Sequence, residues 1–360
     1  MFNGKRLSLA RRRLGLNKKA FAEALKIHPR TINRYEEGER VPAEGEVARI
    51  ASVTGFPEPF FFGEEFDEAS ADSASFRSLT SMTAAERESA LAAGSIGFMF
   101  SDWIEDRFAL PDHDLEDLSR ETPEIAARTL RELWQIGERP VSNMLHLLES
   151  KGVRTFSLAE DTSNLDAFSL WRRNKPYAFL NRRKSAERQR FDAAHELGHL
   201  VLHRHGGPQG RRAEIEADRF ASAFLMPAAD VIATIPRVLR LADLVEAKAR
   251  WRVSVAALNR RCHSLKLTTD WEYRSFCIQI QERGYRTIEP APVEPDASAV
   301  WPQVFRALLE DRVTKTEIAS QLSLPAKEIE SLVFGLGSMM SIDGAGGRAL
   351  RSKADLKLVS

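Results

Sequence analysis

A chain of 360 residues is too long for a single core and implies two or three domains, and its make-up, 43% hydrophobic and 29% charged, is that of an ordinary globular protein. The net charge of +1 says little, because the charge is unevenly placed, and two cysteines, Cys262 and Cys277, exclude a disulfide framework and fit a reducing compartment. The opening MFNGKRLSLARRRLG lacks the apolar stretch of a secretory signal, and Leu91–Phe100 is too short to cross a bilayer, so a cytoplasmic protein without membrane partners is expected.

In chain order, residues 1–62 pattern as a compact set of short helices, five in all, and the acidic run GEEFDEASADSAS (63–75) reads as a linker. Thr83-Ala84-Ala85-Glu86 has the form of a capping box and opens a helix expected to reach Phe108. Helices follow from Pro123 to Ile136 and from Val141 to Lys151. Three strands are predicted at 153–158, 165–171 and 176–181, with Arg172 to Asn174 as a hairpin turn. Ser185 caps a helix that His205-Gly206-Gly207-Pro208 stops, and Arg212 to Met226 forms the next. The remainder is helical apart from an extended piece at Tyr285 to Glu289 and a Pro-rich second linker, PAPVEPDAS (290–298). Thr314 to Val333 reads as a structural helical pair around Ile318, Leu322, Leu324 and Ile329. The sum is a mainly α chain with a small β-sheet.

Residues 5–42 hold eleven cations (Lys5, Arg6, Arg11, Arg12, Arg13, Lys18, Lys19, Lys26, Arg30, Arg34, Arg40) against four anions (Glu23, Glu36, Glu37, Glu39). Such a local excess is the footprint of phosphate binding. Ala22, Leu25, Ile27 and Ile32 are spaced to pack two short helices across a turn at Lys26-Ile27-His28. The second helix, Pro29 to Glu36, then projects side chains suited to base edges and phosphates. The candidate DNA contacts are Lys18, Lys19, Arg30, Thr31, Asn33 and Arg34. A second basic cluster, eight cations over 170–190 with Glu187 as the one anion, reads as a solvated hairpin edge.

His195-Glu196-Leu197-Gly198-His199 is an H-E-x-x-H motif. The two histidines, four apart on a helix, share one face and can reach a single Zn²⁺ at about 2.0–2.1 Å. Glu196, one residue round, can take the proton of a water that the metal acidifies. Phe191, Ala194, Leu200 and Val201 flank the motif, so the helix is buried rather than solvated. The third ligand is expected on the next helix. Glu214 and Asp218 share a face, so Glu214 can bind metal while Asp218 accepts from the outer nitrogen of a ligand histidine. Glu216 is the rival ligand, turned away by two residues of helical rotation. His203 and His205 read as solvated helix-end residues.

The run Y-A-F-L-N, ERQRFDAAHELGHLVLH and EIEADRFASAFLMP resembles the ImmA/IrrE family of zinc metallopeptidases over about Phe76 to Glu289. The resemblance implies a zincin-like α+β domain at 76–289, followed by a helical region at 290–360. It implies zinc on His195, His199 and either Glu214 or Glu216, with Glu196 as general base; manganese is the alternative ion. It also implies cleavage of a regulatory protein, typically a transcriptional repressor, with Tyr177 to Asn181 as an edge strand that holds the substrate by backbone pairing. Residues 5–55 resemble the phage-repressor (Xre/Cro) helix-turn-helix, which implies a double-stranded operator and a possible homodimer. Lys18 departs from the glutamine usual there, which bears on base preference and not on the fold. The expected whole is a DNA-binding regulator with an attached zinc endopeptidase. The alternatives are a silent sensor domain on a repressor and an antitoxin-like regulator.

Overall fold

The computed structural model describes residues 1–70, 74–76, 82–158, 167–204, 210–336 and 354–355. The N-terminal unit is α1 (Gly4–Arg13), α2 (Lys18–Leu25), α3 (Pro29–Glu36), α4 (Glu44–Thr54) and a short 3₁₀ helix, Glu58–Phe62. Side chains of Asn3, Asn17 and His28 each accept from a first-turn N–H, which satisfies donors the helix cannot. The fifth helix is a short 3₁₀ stretch with Pro57 as its N-cap and Pro59 in its first turn. Phe21, Ile32, Tyr35, Phe60 and Phe61 are completely buried between these helices.

The acidic stretch after this unit is not a free tether. Asp67 pairs with Arg172 at 2.7 Å, Glu68 with Arg12 at 2.5 Å, and the Ala69 N–H donates to Ser95 Oγ at 3.0 Å. Its end, Ala74–Phe76, forms strand β1, so the expected linker closes into the sheet. Acidic composition signals solvation only while its cationic partners are out of view; here they lie 56 and 105 residues away in sequence.

Next come α5 (Ala84–Glu105), β2 (Phe108–Ala109), α6 (Pro123–Leu133), α7 (Met144–Ser150), β3 (Arg154–Ser157), β4 (Ala167–Arg172), β5 (Lys175–Leu180), α8 (Ala186–Leu202) and α9 (Arg211–Leu225). After α9 come α10 (Ala228–Thr234), α11 (Leu241–Trp251), α12 (Val255–Ser264), α13 (Asp270–Glu282) and α14 (Val300–Glu310). They are followed by α15 (Lys315–Leu322), α16 (Ala326–Val333) and β6 (Ala354–Asp355), which pairs in parallel with β2. The capping box at α5 forms as the spacing predicts, with Thr83 N–H to Glu86 Oε2 at 2.7 Å and Glu86 N–H to Thr83 Oγ1 at 3.2 Å. The predicted stop at 205–208 lies outside the described residues.

The sheet runs β1-β4-β5-β3. Arg173 and Asn174, with φ of 49° and 62°, make the two-residue turn of the β4–β5 hairpin. Phe156, Phe168, Tyr177 and Phe179 cover one face beneath α5 and α14, through Phe98 and Trp301. Gly97 lets α5 come this close, since a Cβ there would stand 2.6 Å from Phe179. The other face carries α8.

Four expectations are corrected. β5 is not an edge strand: it pairs with β4 on one side and β3 on the other, so the Tyr177 to Asn181 segment has no free edge for a substrate. Residues 285–289 are not a strand: 285–287 are a turn, closed by the Thr287 N–H to Gly284 O at 3.0 Å. The Pro-rich 290–298 stretch is a pinned strap: Lys248 and Arg252 donate to the carbonyls of Ala291 and Glu294, and buried Asp296 pairs with Arg190 at 2.6 Å. Prolines remove donors but leave carbonyls, and side-chain cations take those. Finally, the 170–190 cations are only partly solvated: Arg173, Arg183 and Arg188 are exposed, but Arg190 is buried and the other four are half-buried. Arg172 forks onto Asp102 with two 2.6 Å bonds, and Arg182 donates to the carbonyls of Asp296 and Gly335.

The N-terminal unit is docked on the rest through α1, which packs on α5. Arg13 pairs with Glu328 of α16 at 2.7 Å and exchanges hydrogen bonds with Ser89, while Arg12 reaches Glu88 at 3.4 Å.

Candidate metal centre and nucleic-acid interface

α8 starts at Ser185, whose hydroxyl accepts the Arg188 N–H, and runs buried between the sheet and α9. Its first turn is anchored by Glu187, which takes the Lys248 ammonium at 3.1 Å and the Val293 N–H at 3.0 Å. Gly198 sets how close α9 comes. A Cβ there would lie 3.0 Å from Phe220 and 3.3 Å from the Ala217 backbone, so only glycine seats α9 at this distance without displacement.

That close approach brings three ligand atoms together. The Nε2 atoms of His195 and His199 are 3.1 Å apart, and the Glu214 oxygens lie 3.3 Å and 3.4 Å from them. A tetrahedral zinc with bonds of about 2.0–2.1 Å needs ligand atoms about 3.3 Å apart. His195 Nδ1 faces Asp218 Oδ1 at 3.0 Å, which places the ring's proton there and leaves Nε2 a lone pair. Glu214 Oε2 is buried without a hydrogen-bond donor. Acceptor atoms that converge without protons between them are what a cation resolves, and the donor set fits zinc. Burial lowers the His199 pKa, which favours the neutral ring that a metal requires.

Glu216 stands apart from this triangle. Its carboxylate meets Arg212 Nε at 3.1 Å and His203 Nε2 at 3.2 Å. His203 is therefore not the solvated helix end that its position implies: its side chain is 10% exposed, and its Nδ1 lies 2.9 Å from His199 Nδ1. The helix continues to place residue i+4 on the same face, one step past the motif. His205 lies outside the described residues.

Glu196 is wholly buried on the sheet side of α8. The Ser169 hydroxyl of β4 donates to its Oε2 at 2.6 Å and so aims the carboxylate. Sequence reasoning missed Ser169, His203 and Gly198. The only trace of Ser169 was a lone polar residue inside the apolar run AFSLW.

In the N-terminal unit, the turn between α2 and α3 is closed by Lys26 in the left-handed region (φ 54°), and His28 caps α3 ahead of Pro29. Lys19, Arg30 and Arg34 are exposed, Arg34 holding only a loose 3.6 Å contact with Glu39. Thr31 and Asn33 are half-buried, and Lys18 leans on Glu36 at 3.4 Å. The Arg11-Arg12-Arg13 run is turned inward: Arg11 is buried against Glu36 at 2.6 Å, and its two neighbours pair with Glu68, Glu88 and Glu328. The basic excess open to a ligand is thus smaller than the count of cations, and lies on α2, α3 and the turn between them.

Residues 148–263 match the model of the IrrE N-terminal-like domain, a metallopeptidase-type family, and residues 4–59 match that of a helix-turn-helix domain. The first match spans the sheet from β3 onward and both metal-site helices, a narrower stretch than 76–289. No curated protein shows significant similarity to the chain. Among the described residues, no helix is long and apolar enough to cross a membrane.

Proposed function

We propose that this chain, which joins a helix-turn-helix domain to an IrrE-like metallopeptidase-type domain, is a transcriptional regulator that cleaves a regulatory protein, a repressor in trans or a segment of its own chain. The observation that carries this reading is the meeting of His195, His199 and Glu214 beside a buried, oriented Glu196. Those three residues would hold zinc, with manganese the second candidate. When bound, the ion supplies Lewis acidity to the scissile carbonyl and the attacking water. Glu196 takes the proton of that water and returns it to the leaving amine, and Ser169 keeps its carboxylate aimed. Asp218 holds the His195 ring in the tautomer that presents Nε2.

The test is incubation of purified protein and zinc or manganese with candidate repressors. Glu196→Gln should keep its metal and lose cleavage by about 10²–10⁴-fold. The complete burial of His195 and Glu196 favours a second reading, a domain that senses rather than cuts. Cleavage that Glu196→Gln leaves unchanged, or absent with every substrate, would decide for that reading.

The helix-turn-helix unit supports an operator as the second partner. The full chain should bind duplex DNA with affinity that falls steeply with salt. Arg34→Ala should weaken binding and reduce the salt slope by about one, with no change in melting temperature, because the side chain is exposed and scarcely paired. Binding indifferent to ionic strength would count against the interface.

A further inference from the structure

His203 lies one helical turn beyond His199, outside the ligand triangle yet in contact with it. The protons along this line can be assigned from the partners. Glu216 can only accept, so His203 Nε2, at 3.2 Å from it, carries the hydrogen. In a neutral ring the other nitrogen, Nδ1, is then a lone pair. It faces His199 Nδ1 at 2.9 Å, which must therefore be the donor. His199 is left with a bare Nε2 pointing at Glu214 and His195. The opposite arrangement would set an imidazole lone pair against a carboxylate.

We propose that Glu216 and His203 are a positioning pair that fixes the tautomer and ring orientation of His199, as Asp218 does for His195. Each ligand histidine is thus held by a carboxylate of α9, one directly and the other through a second imidazole. Glu216, turned away from the metal, acts on it at one remove. This inference rests on the metal centre proposed above.

The test is chelator-competition titration of zinc, paired with long-range ¹H–¹⁵N spectra of the histidines in the metal-free protein. The wild-type spectra should show His199 protonated at Nδ1. His203→Leu should lose about 10–100-fold in metal affinity and show mixed His199 tautomers. His203→Gln should recover most of the affinity, because its amide can accept from His199 at Oε1 and donate to Glu216 at Nε2. Glu216→Gln, on a half-buried surface, covers the case in which His203→Leu fails to fold, and should show a smaller loss in the same direction. Unchanged affinity in His203→Leu, or in Glu216→Gln should that variant alone fold, overturns the pair, as does a wild-type His199 protonated at Nε2. A wild-type chain that takes up no metal overturns the centre itself, and the pair with it.

Discussion

Glu214→Ala should leave the protein nearly free of metal, as should the double variant His195→Ala with His199→Ala, when protein purified without added metal is analysed for its elements. The wild type should carry one divalent ion per chain, most simply zinc. The expectation follows from the 3.1 Å approach of the two Nε2 atoms and from the Glu214 carboxylate, whose two oxygens lie 3.3 Å from one and 3.4 Å from the other; among the described residues no other group of three such side chains gathers. Removing Glu214 takes away the anionic ligand and leaves two neutral imidazoles. Asp218→Ala touches no ligand atom directed at the metal, and should cost about 10–100-fold in affinity or activity. Equal metal content in Glu214→Ala and the wild type would sink the centre; loss confined to a Glu216 variant would make Glu216 the ligand.

The largest loss of stability should come from a residue far from any expected chemistry. Lys248 is wholly buried, with its ammonium 3.1 Å from Glu187 and 3.5 Å from Glu289, carboxylates that are themselves nearly buried. Lys248→Met would keep the bulk of the chain and strip both anions of their counter-charge. Breaking one side of such a cluster costs about 3–5 kcal/mol, because an uncompensated charge stays in the interior. Chemical denaturation should show it, and the loss should shrink in Lys248→Met/Glu187→Gln, which removes one orphaned charge. The pH dependence has a definite sign. Burial, the largest influence on Glu289, raises its carboxyl above the ordinary range, so the folded state holds that proton more tightly than the unfolded chain. Stability from this group falls as pH rises through the folded value. The deficit of the variant should therefore be smaller at pH 5 than at pH 7. A deficit under about 1 kcal/mol at pH 7 would place this cluster among weak surface pairs.

The Lys248 cluster also marks where sequence reasoning stops. What residues 1–62 and 185–202 revealed in advance was local. Ala22, Leu25 and Ile32 repeat at helical spacing around a tight turn at Lys26-Ile27-His28. Thr83 and Glu86 cap each other three residues apart. His195 and His199 share a face because a helix puts i and i+4 there. Each is set by backbone geometry within one or two turns, so the helices, the hairpin and the two motif histidines were legible, and the two family resemblances with them. The rest depended on which faces meet. The shared face with Asp218 favours Glu214 over Glu216 but does not fix which face of α9 turns inward; the seating of α9 against Gly198 turns the first toward the histidines and the second toward His203. The acidic stretch reads as a linker until Arg12 and Arg172 arrive from distant elements. The Arg11 to Arg13 run reads as a phosphate-binding patch until Glu36, Glu68, Glu88 and Glu328 consume it. β5 reads as an edge until β3 pairs along its other side. Charge and edge pairing are satisfied by partners that chain folding brings from far away, and no local pattern records who those partners are. The sequence by itself therefore determined the helices, the motif and the chemistry on offer, while packing decided which carboxylate turns toward the two histidines and which cations stay exposed.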